Sequence, residues 1–178
     1  MMRVRVSTPA DFARVQALVF GMHARALAAT GRDVTARLPL IFPSLASAAA
    51  FAAPTSHFWV AVDEDAATEI VGAISIIGGE GDAGVAADGG VVAGGAAVAE
   101  LNAFYVADAH QRRGVGARLM EAALAFCRAS GVKRVDLTSN RGHYDAAIAF
   151  YARRGFVETR EYEVAPGIVL VDMALELR

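Results

Sequence analysis

Cysteine is nearly absent from this sequence, and charges of the two signs nearly balance. The 178 residues contain one cysteine, which excludes an intramolecular disulfide and a cysteine-based zinc cluster. That residue, Cys127, follows Leu124 and Phe126 on what the pattern predicts to be a buried helix face, where a cysteine is inert. The formal net charge is −2, whereas a general nucleic-acid binder needs a basic field. We therefore expect no nucleic-acid partner.

Unbroken apolar runs are also missing. Residues 38 to 62 carry no formal charge and are long enough to cross a bilayer, but Pro39, Pro43 and Pro54 interrupt a continuous helix there. The N-terminus lacks the apolar core of a secretory signal. We therefore expect a cytoplasmic protein with no membrane partner.

Hydrophobic periodicity predicts alternating strands and helices in one domain that spans residues 1–178. The hydrophobic fraction of 55% is ample for a core. The predicted strands are Val4–Ser7, His57–Val62, Glu69–Ile77, Glu100–Val106, Val135–Thr138, Phe156–Val164 and the alternating tail Val169–Leu177. The first predicted helix begins at Thr8, and the other three are Leu45–Ala52, Gly114–Ala129 and Asp145–Arg154. The order is β α α β β β α β α β β.

The stretch HQRRGVGAR, residues 110 to 118, joins a predicted strand to a predicted helix. A helix N-terminus presents unpaired backbone N–H groups and a partial charge of about +0.5. Gly114 and Gly116 let the backbone approach an anion without a Cβ in the way, and Arg112 and Arg113 add full charges at the rim. The pattern predicts a pyrophosphate site. The alternative is a tight strand–helix connection with two solvated arginines.

This stretch resembles the signature of the GNAT superfamily of N-acetyltransferases, in which Gln/Arg-x-x-Gly-x-Gly/Ala follows a strand and opens a helix. Here the signature is Gln111 to Ala117. A second signature follows in the right order: a strand that ends in Asn140, then Ala-x-x-Phe-Tyr-x-x-x-Gly-Phe from Ala147 to Phe156. The specific resemblance covers residues 100 to 157. It implies an α/β (α+β) fold with a mixed, mostly antiparallel sheet of six to seven strands and helices on both faces.

The resemblance implies where the cosubstrate acetyl-CoA binds. Its pyrophosphate would contact the loop amides of Gln111, Arg112, Arg113, Gly114, Val115, Gly116 and Ala117. The preceding strand, bent by a bulge, would splay from the next strand and leave a gap for pantetheine. Backbone groups at Phe104 and Val106, with Tyr105 between them, would bond the acetyl carbonyl and the pantetheine amides. Asn140 would contact the pantetheine arm.

The resemblance also implies two catalytic residues. Tyr151 would protonate the leaving thiolate, and Glu100 stands eleven residues before Gln111, at the offset of a general base. An amine with a pKa of about 10.4 is mostly protonated at neutral pH, so the reaction needs a base. Other roles stay open: Tyr151 as a half-buried helix tyrosine, Glu100 as a solvated strand end, and Asn140 as the cap of the turn into Arg141-Gly142.

The expected activity is transfer of an acetyl group from acetyl-CoA to a primary amine by direct attack in a ternary complex, with no metal. The acceptor is a small-molecule amine or a protein amine, and its wall would lie in about residues 8–60. The acetyl-CoA-binding core would occupy about residues 100–157. A homodimer is common among relatives, and the sequence leaves the oligomeric state open. The alternative function is a non-catalytic acyl-CoA-binding sensor or partner module with the same fold.

A glycine-rich segment precedes Glu100. Residues 78–97 hold eight of the seventeen glycines and predict a mobile loop or a glycine-rich β excursion, which would cover or reshape the acceptor site. Within it, Gly79–Gly84 also fits Gly-x-Gly-x-x-Gly, a dinucleotide-binding fingerprint. That fingerprint requires a helix to begin there, and the further glycines from residue 89 to residue 95 oppose one. We therefore do not expect NAD as a ligand.

Overall fold

The computed structural model describes residues 1–28, 35–65, 69–78 and 98–178. In these ranges seven strands form one sheet. The strands are β1 Met2–Val6, β2 Ser56–Asp63, β3 Glu69–Gly78, β4 Val98–Val106, β5 Arg134–Arg141, β6 Val157–Ala165 and β7 Ile168–Glu176. The helices are α1 Phe12–Ala28, α2 Leu38–Ile41, α3 Ala48–Phe51, α4 Val115–Ala129 and α5 Asp145–Ala152. The predicted glycine-rich loop, apart from Gly78, and the Gly79–Gly84 fingerprint lie outside the described residues.

The strands follow the order β1-β2-β3-β4-β5-β7-β6 across the sheet. Every neighbouring pair is antiparallel except β4 and β5, which are parallel. The helix α4 connects these two parallel strands, as a crossover must. The predicted mixed, mostly antiparallel sheet is confirmed.

Side chains of the sheet alternate between two apolar layers. In β2, Trp59 and Ala61 pack with α4 and α5, whereas Phe58 and Val60 pack with α1, α2 and α3. Adjacent residues of a strand point to opposite faces, so the two helix groups cover opposite sides of the sheet. We call these sides the α4 face and the α1 face. The predicted helices on both faces are confirmed.

Several elements differ in extent from the sequence prediction, and two of them show why. The strand predicted at Val135–Thr138 continues to Arg141, because β7 pairs with it as far as Arg141 opposite Val169. The helix predicted at Leu45–Ala52 shortens to α3, since Ser47 accepts a hydrogen bond from the Ala50 N–H and so begins the helix late. Both differences arise from partners that local periodicity does not reveal.

β4 contains one residue more than the strand beside it. Ile74 of β3 pairs with Phe104 and Ile76 pairs with Leu101, so the register shifts between them. Leu101 packs on the α4 face, Ala103 on the α1 face and Phe104 again on the α4 face. This is a β-bulge, and it resets which side chains of β4 face which helices.

Two expectations from composition can be compared with the structure. Cys127 is fully buried, and burial raises the pKa of its thiol to about 11, which agrees with an inert side chain. Within the four described ranges, none of the helices is both long and apolar enough to span a membrane.

Candidate active site

β4 and β5 are paired only where they begin. Val98 to Glu100 pair with Arg134 to Asp136, although β4 continues to Val106 and β5 to Arg141. The other edge of β5 is taken by β7 along its whole length. A gap therefore opens between β4 and β5 beyond Glu100, as the sequence predicted.

The backbone of β4 points two N–H groups into this gap. The Ala107 N–H donates to the carbonyl of Val71 on β3 at 2.8 Å. Along an antiparallel pair, alternate residues bond to the neighbour and the residues between them face away. Phe104 pairs with Ile74, and Val106 is the residue before Ala107, so the N–H groups of Phe104 and Val106 point away from β3 and toward β5.

The loop after β4 forms a concave surface of backbone N–H groups. Arg112 and Gly114 adopt left-handed conformations, with φ of 58° and 79°. A non-glycine residue there is strained, as is common at binding sites, and alternating handedness gathers N–H groups on one side. The first intrahelical bond joins the Arg118 N–H to the Gly114 carbonyl at 3.1 Å, so the N–H groups of residues 115–117 have no acceptor within the helix.

Gly114 and Gly116 of this loop are glycine for different structural reasons. Gly114 has positive φ, and a Cβ added there would meet nothing within 4 Å. A Cβ added to Gly116 would lie 3.2 Å from Cζ of Phe104. Gly116 therefore lets α4 pack against that ring, a role the sequence did not indicate, while its N–H stays on the concave surface.

The side chain of Gln111 supports the loop from within. Its Nε2 donates to the Val106 carbonyl and to Oδ1 of Asp108, both at 3.0 Å. Arg112 and Arg113 are exposed at the rim, and the side chain of Val115 is buried in the core. Of this signature the side chain of Val115 is therefore kept from a ligand, whereas the backbone and the two arginines are presented to one.

Asn140 lies near the end of β5, beside the gap. Its Oδ1 is buried and has no hydrogen-bond partner, which is uncommon for a buried polar atom. In the turn into Arg141-Gly142, the side chain that caps the backbone is that of Asp145, because the Gly142 N–H donates to its Oδ1 at 2.8 Å. Asn140 contributes only its backbone carbonyl, which accepts from the Tyr144 N–H at 2.9 Å.

Tyr151 lies on α5 behind the gap, among aromatic rings. Its ring centroid is 6.0 Å from that of Phe104, 5.9 Å from that of Phe150 and 5.7 Å from that of Phe156. Burial raises the pKa of Tyr151 well above its ordinary value. The phenol is therefore protonated at neutral pH and can donate a proton or a hydrogen bond.

Glu100 lies where the gap begins. It is the last β4 residue paired with β5, opposite Asp136, and its side chain is exposed. Nδ2 of Asn102 donates to Oε1 of Glu100 at 3.1 Å. The alternation along β4 puts both side chains on the α1 face, across the sheet from Tyr151. No group of three or more His, Cys, Asp or Glu in the described ranges is arranged to hold a metal ion.

A family model described as Acetyltransferase (GNAT) family matches residues 29–156. The chain belongs to the GNAT acetyltransferase family. The matched segment contains both signatures, and the recognition made from the sequence is confirmed.

Solved structures share this GNAT fold. A GNAT-family acetyltransferase from Staphylococcus aureus Mu50 aligns over 100% of both chains at 12% identity, with a TM-score of 0.73. A GCN5-related N-acetyltransferase from Kribbella flavida aligns over 99% of this chain and 98% of its own at 21% identity, with a TM-score of 0.66. A Bacillus anthracis protein named as a streptothricin acetyltransferase, in complex with acetyl coenzyme A, aligns over 71% and 65% at 17% identity, with a TM-score of 0.56. None of the curated proteins matches the chain.

A buried histidine lies outside the GNAT signatures and was missed from the sequence. Nδ1 of His23 on α1 is 2.7 Å from the hydroxyl of Tyr105 and 3.0 Å from the hydroxyl of Tyr144. The ring of Phe42 meets the imidazole edge-on, with centroids 5.1 Å apart. We call these four residues the His23 cluster. It joins α1, β4 and the start of α5 on the α1 face of the sheet.

The His23 cluster is uncharged at neutral pH. Burial lowers the pKa of His23 to about 4. Burial, with a smaller contribution from Tyr144, raises the pKa of Tyr105. One sequence signal was available: His23 continues the apolar stripe of α1 that includes Val15 and Val19, both fully buried. A polar residue on a buried helix stripe indicates a polar partner from elsewhere in the chain.

We expect protonation of His23 to destabilise the fold in acid. The unfolded chain, with an ordinary histidine pKa of about 6.5, binds the proton first as pH falls, so the free energy of unfolding should drop by up to about 3 kcal/mol between about pH 6.5 and 4. In His23→Gln this part of the pH dependence should disappear. Urea unfolding of both proteins from pH 8 to 4 measures the difference, in which other titrating groups cancel. Parallel stability curves would show that His23 is not held neutral by the fold.

Proposed function

We propose that this chain is an N-acetyltransferase that moves an acetyl group from acetyl-CoA to a primary amine by direct attack in a ternary complex. One observation carries the proposal. The gap between β4 and β5 receives the N–H groups of Phe104 and Val106 and leads into the left-handed loop at the start of α4. A ligand that fits both must be extended, with hydrogen-bonding groups at one end and an anion at the other.

Acetyl-CoA has this distribution of groups. Its pyrophosphate suits the N–H groups of residues 115–117 and the exposed Arg112 and Arg113. Its pantetheine arm carries amides, and their N–H groups suit the unpartnered Oδ1 of Asn140. The likeness to the fold of the Bacillus anthracis protein, which was solved with acetyl coenzyme A, supports the same choice.

The gap also supports the chemistry of acetyl transfer. When an amine attacks the thioester, the acetyl oxygen becomes negative, and the N–H of Phe104 or Val106 would stabilise it. Sulfur leaves as a thiolate, and the proton of Tyr151 would be transferred to it. A buried thiol has a raised pKa, as the value of about 11 for Cys127 illustrates, so a buried thiolate is a stronger base than it would be in water.

The amine would approach from the α1 face. Glu100 lies on that face, and Asn102 fixes the position of its carboxylate. The carboxylate would remove the amine proton, directly or through one water, as attack proceeds. The ring of Tyr105 points to the same face and would form part of the acceptor wall through the His23 cluster. At the acetyl-CoA site, the neighbouring residues Phe104 and Val106 would make the contacts instead of Tyr105.

The proposal keeps the cytoplasmic location expected from the sequence.

The acetyl-CoA site is tested by a pair of matched glycines. Gly114 and Gly131 have φ of 79° and 75°, and a Cβ on either meets nothing within 4 Å, so alanine strains both equally. We expect Gly114→Ala to weaken acetyl-CoA binding about tenfold or more in calorimetry, because it distorts the N–H surface. Gly131→Ala, at the far end of α4, should bind as the unchanged protein does. Gly116 is unsuitable for this test, since its Cβ would strike Phe104.

NAD serves as the negative control ligand in the same calorimeter. No heat with acetyl-CoA, or equal loss in the two glycine variants, would contradict the assignment of the loop. Tight binding of acetyl-CoA without release of free thiol in the presence of any primary amine would support the non-catalytic acyl-CoA-binding module instead.

The acid role of Tyr151 predicts a separation of binding from turnover. With a primary amine found by screening, we expect Tyr151→Phe to lower kcat by about 10²-fold and to leave the acetyl-CoA Kd within about twofold, because only the hydroxyl is lost. Tyr162→Phe, on the hairpin of β6 and β7, removes a hydroxyl that bonds to Asp172 of β7 and should leave kcat unchanged. An unaltered kcat in Tyr151→Phe would assign this tyrosine to packing alone.

The base role of Glu100 predicts a loss that depends on pH. At pH 7 we expect Glu100→Gln to lower kcat/KM by about 10²-fold or more, and the loss should shrink toward pH 10 as the free amine becomes abundant without a base. Glu121→Gln, an exposed change on α4, is the control. A loss that stays constant from pH 7 to 10 would indicate that Glu100 has another role.

A further inference from the structure

The bulge in β4 frees one buried N–H group that a regular strand pair would occupy. Gly72 lies opposite Val106. If this register continued without a bulge, the N–H of Ala103 would donate to the backbone carbonyl of Ser75. Because of the extra residue, Ser75 and Ala103 are not partners in the observed register. Instead the Ala103 N–H donates to the side-chain Oγ of Ser75 at 2.9 Å. Ser75 and Ala103 are both fully buried, so water does not offer a substitute acceptor.

The serine is unexpected in its setting. It interrupts the apolar run Ile74-Ser75-Ile76, and a buried hydroxyl in such a strand is unfavourable unless it is hydrogen-bonded. Its hydrogen bond spans 28 residues of sequence and ends on the bulge itself. The hydroxyl therefore satisfies an N–H group that would otherwise oppose the bulge energetically.

The bulge in turn decides where the next residues point. With it, Phe104 and Val106 pack toward the α4 face, and their N–H groups face the gap. Without it, the register would slip by one residue. The side chains of Phe104 and Tyr105 would then exchange faces, and the N–H groups of Phe104 and Val106 would turn toward β3.

We propose that Ser75 is a positioning residue for the acyl-CoA: its hydroxyl holds the β4 bulge that directs the Phe104 and Val106 N–H groups into the gap. The inference rests on the proposed acetyl-CoA site. Ser75 does not touch the ligand and acts only through the backbone of Ala103.

The test compares Ser75→Ala with a control on the same strand. Ile70→Val is also buried on the α1 face, and it lies at the other end of β3 from the bulge. Ser75→Thr keeps the hydroxyl and is the conservative rescue. Hydrogen–deuterium exchange of the peptide that covers residues 101–107, in the ligand-free protein, reports on the bulge. Calorimetric titration reports on binding of acetyl-CoA and of 3′-phosphoadenosine 5′-diphosphate, which lacks pantetheine.

We expect Ser75→Ala to speed exchange in residues 101–107 and to weaken acetyl-CoA about tenfold, while the binding of 3′-phosphoadenosine 5′-diphosphate is unchanged. Ile70→Val should lower thermal stability without either effect, and Ser75→Thr should recover acetyl-CoA binding if it folds. If hydrogen–deuterium exchange in residues 101–107 is the same in Ser75→Ala as in the unaltered protein, the proposal is overturned. It is also overturned if exchange is faster but the affinity for acetyl-CoA relative to that for 3′-phosphoadenosine 5′-diphosphate does not change. If the unaltered protein binds no acetyl-CoA, the proposed function fails, and the exchange measurement alone then decides whether Ser75 holds the bulge.

Discussion

The extra residue of β4 is the constraint on which both sides of the site depend. A strand alternates strictly, so one inserted residue exchanges the faces of everything that follows. Phe104 thereby reaches the α4 face and packs on Gly116, while Tyr105 reaches the α1 face and His23. The same insertion turns two N–H groups toward β5. A single local irregularity therefore prepares both the proposed acyl-CoA gap and the proposed acceptor wall.

A gap in a sheet leaves polar groups without partners, and the protein satisfies them selectively. The Val106 carbonyl is bonded by Gln111, and the Ala103 N–H by Ser75. The N–H groups of Phe104 and Val106 and the Oδ1 of Asn140 remain in or beside the gap. Buried polar groups are costly when unpaired, so their convergence favours a ligand with amides of its own. The acetyl-CoA proposal draws more support from this selectivity than from any single contact.

The sequence predicted what local patterns encode. The order of the elements along the chain and helix α4 follow from periodicity and signature, and the family match agrees with them. The positions of Ser75 and His23 were not predictable in this way, because their partners lie 28 residues away for Ser75 and 82 and 121 residues away for His23. No periodicity links residues at such distances. The sequence indicated that Gly116 lets the backbone approach an anion, but not that it lets α4 pack against Phe104. That contact exists only because the bulge turns the Phe104 ring toward α4.

Burial separates the proposed catalytic roles. Tyr151 is enclosed by aromatic rings and keeps its proton, which suits an acid. His23 is buried almost as deeply, and its pKa of about 4 means that it does not hold a proton near neutral pH, so the His23 cluster is a poor destination for the proton of an ammonium group. Glu100 is exposed at the mouth of the gap, where water can solvate its charge and carry a proton away. The exposed carboxylate of Glu100 is therefore better suited to act as a base than the His23 cluster.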